Sequence, residues 1–284
     1  MKVLLTGAGG NFGQEFVERA DCQVVQLGRH EWDSLGPKLA LGINTVIHAA
    51  GDLRSRTAAS PVKLFDSNVL STARLLEAVR EYKIPRFIFL SSCAVYGEDM
   101  RTNEESKCYP ASINGIGKLL CERMIAEFCT ENKIKYEILR IFNMYGGRDH
   151  FSVFSHMKRA LENGAPFVLN NKGIAQRDFI HVSDVVRIVL SLLNQNILYT
   201  HLNIGTGIAT KLSVLVELVA RRFPHLSLRH AQVEEAEYSR ADITRLRSLV
   251  NGEFVRIEDY LMTDFMSGGV EDPVPRKPHS YSGS

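Results

Sequence analysis

Glycines at positions 7, 10 and 13 separate the apolar run Lys2–Thr6 from a helical pattern that follows at once. A strand that turns into a helix this way gathers backbone N–H groups at the helix start, and the absent side chains let an anion approach them. The alternation then repeats. Strands are predicted at Lys2–Thr6, Gln23–Leu27, Thr45–Ala49, Phe87–Ser91 and Tyr136–Arg140. Val62, Phe65, Val69, Ala73, Leu76 and Val79 recur at three- and four-residue intervals, which predicts one amphipathic helix from Pro61 to about Tyr82. Leu120, Met124 and Phe128 make a similar stripe on the helix that carries Lys118, read as Ser112–Glu131. This pattern is that of an α/β fold, a parallel sheet with helices on both faces. After Gly146 the elements shorten: a helix near Val153–Glu162, an extended piece ending at His181, a helix from Ser183, a strand around His201–Asn203 and a helix from Ser213.

Lys plus Arg number 34 against 32 Asp plus Glu, so a net charge of +2 gives no case for nucleic acid or an anionic membrane. Any anionic ligand must be held by local groups. The five cysteines, Cys22, Cys93, Cys108, Cys121 and Cys129, show no C-x-x-C pair or zinc spacing. No metal site is expected, and reduced thiols point to a reducing compartment. No apolar stretch reaches the roughly 18 residues of a membrane span, and the N-terminus enters the glycine turn directly. A cytoplasmic protein is the expectation.

In Thr6-Gly-Ala-Gly-Gly-Asn-Phe-Gly13 the groups assigned to a pyrophosphate are Gly7, Gly10, Asn11, Phe12 and Gly13. Ala49 and Ala50, at the end of the third strand, are assigned to the same cofactor. At the end of the second strand, Leu27-Gly28-Arg29-His30 shows no acidic residue for a ribose. Arg29 suits a 2′-phosphate, favouring NADP with NAD as the second choice; the other reading is a solvated loop residue. The G-x-x-G-x-x-G spacing resembles that of the extended short-chain dehydrogenase/reductase family.

Two further segments strengthen the resemblance. Ser91-Ser-Cys-Ala-Val-Tyr-Gly97 resembles the S-S-x-x-V-Y-G run of the family's nucleotide-sugar epimerases, dehydratases and reductases. The resemblance makes Ser92 the catalytic hydroxyl that bonds the reacting sugar oxygen. Pro110 through Lys118 resembles P-x-x-x-Y-x-x-x-K, with Asn114 at the tyrosine position. In the family the lysine holds the nicotinamide ribose and lowers the tyrosine pKa. Residues 114 and 118 share a helix face, so Lys118 keeps the first role and lacks a recipient for the second. A carboxamide cannot exchange protons as a phenol does. Three readings of Asn114 stay open: Ser92, a water or another side chain moves the proton; the chain binds without turnover; or it is a variant whose tyrosine was replaced. Tyr96 and Tyr109 are the nearest phenols in sequence, and neither lies on the Lys118 face.

In the second half, Leu139-Arg-Ile-Phe-Asn-Met-Tyr-Gly146 resembles L-R-x-x-N-x-Y-G, and Gly173 through Asp184 resembles G-x-x-x-R-D-F-I-H-V-x-D. By this resemblance Asn143 meets a sugar hydroxyl or phosphate and Arg177 clamps the diphosphate. His181 is read as a satisfied histidine beside a helix and Asp184 as a structural or capping group. The bland reading of Arg177-Asp178 is a surface ion pair. Leu202-Asn-Ile-Gly-Thr-Gly207 resembles the family's N-I-G-x-G turn, and Arg240-Ala-Asp242 with the residues after it resembles its late R-x-D-x-x-K/R helix.

The resemblance implies a Rossmann-like, doubly wound parallel sheet with a smaller C-terminal α/β substrate domain. Residues 1–145 would bind NAD(P), 146–266 the nucleotide sugar with some interleaving, and 267–284 would form a flexible tail. The implied activity is that of an NAD(P)-dependent epimerase or reductase on a nucleotide-diphosphate sugar, in polysaccharide precursor synthesis. Dehydration is disfavoured because Cys93-Ala94 follow Ser92 where dehydratases carry acids. The alternative is a catalytically impaired regulatory or scaffold protein that binds NADP and sugar nucleotide. The helices Pro61–Tyr82 and Ser112–Glu131 imply a homodimer.

Overall fold

The computed structural model describes residues 1–51, 60–97 and 102–266. The predicted tail at 267–284 lies outside the described residues. The main sheet is built from β1 (Lys2–Thr6), β2 (Gln23–Leu27), β3 (Thr45–His48), β4 (Arg86–Ser92), β5 (Lys135–Ile141) and, after a long return, β9 (His201–Ile204). Its order is β2-β1-β3-β4-β5-β9, with every pair parallel. Strand alternation sends successive side chains to opposite faces. Val3, Leu5, Ile47, Ile88 and Leu90 pack with Phe12, Phe16, Val185 and Val189 on one face. Leu4, Val46, Phe87, Phe89 and Ile138 pack with Leu75, Val79, Cys121 and Ile125 on the other. The first face is covered by α1 (Asn11–Arg19) and the second by α2 (Leu35–Leu39), α3 (Pro61–Leu64), α4 (Ser71–Glu81) and α5 (Ile113–Glu131).

The predicted single helix from Pro61 is interrupted. Between α3 and α4, Phe65–Leu70 form a π-helical stretch. There the Ser71 hydroxyl donates to the Ser67 carbonyl at 2.7 Å and Thr72 to Asn68 at 2.6 Å, competing with the backbone ladder. A wider turn shifts the phase of the apolar stripe, by about 100° for one extra residue. Val69, Leu76 and Val79 are buried, while Val62 and Phe65, predicted on the same stripe, are exposed.

The remaining strands are β6 (Asn143–Tyr145), β7 (Phe167–Asn170), β8 (Gln176–His181), β10 (Ala209–Lys211), β11 (Leu228–Ala231) and β12 (Tyr238–Ser239). β8 pairs with β10, β12 and β6, and β7 pairs with β11. Helices α6 (Val153–Asn163), α8 (Leu212–Arg222) and α10 (Ile257–Thr263) close a third core around Tyr145, Phe154, Phe179 and Tyr260. Helix α7 (Val182–Leu193) returns to the α1 face of the main sheet, and the short α9 (Thr244–Leu249) packs beside β9.

Candidate functional site

The glycine turn is shaped for close approach. Gly7 has φ +75°, and a Cβ there would meet Ala50 N at 2.7 Å and Ala49 O at 2.8 Å; a Cβ at Gly13 would meet Gly7 O at 2.2 Å. A Cβ at Gly9 meets nothing within 4 Å, so the outer side of the turn is open. Helix α1 starts from Gly10 with no side-chain cap and no acid in its first turn, leaving the Asn11, Phe12 and Gly13 amides for an anion. These residues fit a dinucleotide pyrophosphate. Asn11 does something else with its side chain: it donates to Gly146 O at 2.9 Å and accepts from Arg148 N at 2.8 Å, tying the turn to the end of β6.

Beyond β2, Arg29 is exposed. Sequence reading overlooked Glu31, whose carboxylate accepts the Gly28 amide at 2.7 Å and is paired with Lys38 at 2.8 Å. Those donors hold its carboxyl below the usual range, the Lys38 bond first. The signal was present three residues after Gly28.

The turn leads directly to Lys118. A Cβ at Gly51, one residue past Ala50, would lie 3.7 Å from Lys118 Nζ. That amine donates to Leu90 O at 2.7 Å and sits 4.5 Å from the centre of the Phe89 ring. Its burial depresses its pKa, against an upward pull from Cys121 and Glu122. Behind it His48 is fully enclosed, with Nδ1 2.7 Å from Thr6 Oγ1 and Nε2 2.9 Å from Thr72 Oγ1. Burial first, and the Lys118 charge second, lower its pKa to about 3.

Ser112 caps α5 by accepting the Gly115 amide at 3.1 Å, and Gly115 presses on the Ala94 carbonyl, so the helix start abuts the turn after Ser92. Ser92 Oγ accepts the Ala94 amide at 3.2 Å, which leaves its O–H to donate. Asn114 is only 7% exposed, and its Oδ1 has no hydrogen-bond partner. A buried acceptor without a donor is costly in a folded protein and suits a ligand that brings one.

Ser91, the neighbour of Ser92 in the same motif, is buried on Glu122. Glu122 takes the Arg140 guanidinium bidentately at 3.2 and 2.7 Å. Arg140 also donates to the Tyr96 hydroxyl at 3.0 Å, which donates to Asn203 Oδ1 at 2.6 Å. Burial pushes the Tyr96 phenol up, despite Arg140. Tyr96 is thus committed to a structural network and Tyr109 is 70% exposed, so neither replaces the phenol at 114.

On the far side, Asn143 donates to Asp178 O at 2.9 Å. Arg177 donates to Ala236 O at 2.5 Å and Gln176 O at 2.9 Å and pairs with Glu235 at 3.4 Å. Its ion-pair partner is therefore Glu235 and not Asp178. Asp178 is fully buried and accepts the amides of Thr206, Gly207 and Ala241 at 2.8, 2.9 and 3.1 Å. It draws the late turns together, a role adjacency to Arg177 did not reveal. His181 caps α7 through Nδ1, which accepts the Ser183 amide at 3.2 Å, but its Nε2 is buried without a partner, so it is only half satisfied. Asp184 bonds Arg187 at 2.9 Å and Val255 N at 2.8 Å, as a structural group should.

Residues 3–205 match the sequence profile of the NAD dependent epimerase/dehydratase family. A UDP-glucose 4-epimerase of Halalkalibacterium halodurans is 31% identical over 166 residues, covering 50% of this chain and 49% of that protein. An ADP-L-glycero-D-manno-heptose-6-epimerase of Alkalilimnicola ehrlichii is 29% identical over 187 residues, 60% of this chain and 58% of that one. The chain spans about half to 60% of the length of the curated relatives it matches. Among solved structures, MoeE5 in complex with UDP-glucuronic acid and NAD is 27% identical with a TM-score of 0.81, covering 93% of this chain and 98% of that one. A Thermotoga maritima UDP-glucose 4-epimerase with UDP-glucose has the same fold, with 23% identity, a TM-score of 0.84 and coverage of 93% and 97%. The phosphate turn, the buried lysine and the profile match agree: the chain belongs to the NAD dependent epimerase/dehydratase family.

Proposed function

We propose that this chain binds a nicotinamide dinucleotide at the Gly7–Gly13 turn and epimerises a nucleotide-diphosphate sugar beside Ser92, Asn114 and Lys118. The carrying observation is the continuity from Gly7 through Ala50 and Gly51 to Lys118 Nζ, which sets an amine between the phosphate turn and the strand that ends at Ser92. The dinucleotide, when bound, supplies a reversible hydride acceptor. Ser92 donates its O–H to the sugar oxygen, Lys118 faces the ribose, and Asn114 Oδ1 accepts from a ligand donor. Asn143 and Arg177 remain the proposed sugar-nucleotide contacts; Arg177 must exchange its bonds to Ala236 and Glu235 for phosphate. In this reading residues 1–145, with β9 and α7 returning to their sheet, hold the dinucleotide, and the rest of 146–266 holds the sugar nucleotide.

NAD is favoured over NADP, because the Glu31 carboxylate beside Gly28, whose charge Lys38 already pairs, would repel a 2′-phosphate that Arg29 would attract. Calorimetry with both dinucleotides tests this, and tighter NADP binding would reverse it. A homodimer is supported by apolar side chains left exposed along α3, the π stretch and α5: Val62, Phe65, Ile113, Ile116 and Leu120. Ile116→Arg should then yield monomers in sedimentation. Five free cysteines support a reducing, cytoplasmic setting, and among the described residues no helix is long and apolar enough to cross a membrane.

A second reading, dinucleotide and sugar-nucleotide binding without turnover, is favoured by Asn114 itself. Labelled-hydride exchange between dinucleotide and a panel of nucleotide sugars separates the two. Epimerisation predicts measurable exchange in the unmodified chain and at least about a tenfold gain in Asn114→Tyr, since a positioned acid–base group contributes 10²–10⁴-fold. Binding with no exchange in either protein would leave the second reading.

A further inference from the structure

Building on the proposed epimerase function, we propose that Lys118 is itself the acid–base group: its Nζ exchanges the sugar hydroxyl proton through a water seated on Asn114 Oδ1. Asn114 and Lys118 lie one turn apart on one helix face, and both are buried, the first with an acceptor that has no partner. A carboxamide stops short of a phenol's reach, and a water bonded to its oxygen spans the remainder. The sugar C–H leaves as hydride to the oxidised nicotinamide dinucleotide, the O–H proton passes to the water, and a water proton passes to the Nζ lone pair. The products are a ketone, the reduced dinucleotide and an ammonium; reduction on the other face returns both.

The surroundings let this amine hold either charge. Among the described residues no carboxylate forms an ion pair with Nζ, which is rare for a buried lysine. Glu122, next on the helix, is occupied by Arg140 and Ser91. His48 is held uncharged between Thr6 and Thr72, and the Cys121 thiol is held neutral by burial. No other titratable group of the described residues is among those acting on the amine. Burial favours the free amine, while the Leu90 carbonyl and the Phe89 face favour the ammonium. An amine balanced this way can give and take a proton, as an arginine cannot.

The test uses the full chain carrying lysine labelled with ¹³C at Cε. One resonance, identified by its loss in Lys118→Met, should titrate below those of the exposed lysines, in the direction its burial dictates. In Lys118→Arg, dinucleotide binding by calorimetry should persist while hydride exchange falls about 100-fold. The pH dependence of exchange should follow the same titration. A Lys118 that keeps its proton to about pH 10, or undiminished exchange in Lys118→Arg, overturns the proposal. If the lysine titrates low but the unmodified chain exchanges no hydride with any nucleotide sugar, the epimerase function falls and the proton-transfer role with it. That failure is distinguishable because the amine's titration is intact.

Discussion

Two cations lie buried beneath the carboxyl edge of the same sheet, and they are treated in opposite ways. Arg140 is saturated by Glu122, Tyr96 and the Glu104 carbonyl. Burial works against its charge, but the Glu122 bonds override it and hold the guanidinium above its ordinary pKa. Lys118 has one carbonyl and one ring face. The contrast separates scaffold from site: where charge is fully paired the fold is being fixed, and where it is left adjustable a ligand or a proton can change it.

The contrast can be broken most sharply at Arg140. Arg140→Met strands Glu122 without its cation and should cost about 3–5 kcal/mol in urea unfolding; a loss under 1 kcal/mol would deny the arginine its scaffold role. Acid should act next, through His48 behind the lysine. Its pKa falls from 6.5 unfolded to about 3 folded, so its contribution is complete above the unfolded value and is lost as pH drops toward 3. Stability should fall by a few kcal/mol across that window, and the slope should flatten in His48→Asn. Tyr96→Phe removes a donor to Asn203 and should cost about 1–2 kcal/mol with sugar-nucleotide affinity unchanged. Lys118→Met should be smallest, within about 1 kcal/mol of the parent in stability, because replacing a sparsely paired buried charge by an apolar chain is close to neutral.

Much of the scaffold was legible. Strand alternation and the glycine turn are local properties, and β1 and β2 fall where the residues place them. The long helix after Pro61 was legible except for its π stretch, because Ser71 and Thr72 hydroxyls taking backbone carbonyls leave no periodic trace. Site residues were legible as positions and less so as partners. Ser91 and Ser92 are adjacent in sequence, yet one is anchored on Glu122 and the other caps a turn. Glu31 and Asp178 were missed because their roles depend on which amides the fold brings to them.

The Asn11 side chain reaches a carbonyl 135 residues further along the chain. During synthesis this strut therefore forms only once Gly146 has emerged, long after the turn's own strand and helix are complete. A fragment ending at residue 145 would keep every glycine of the turn and lose the strut that steadies it, so the turn should reach its final rigidity late.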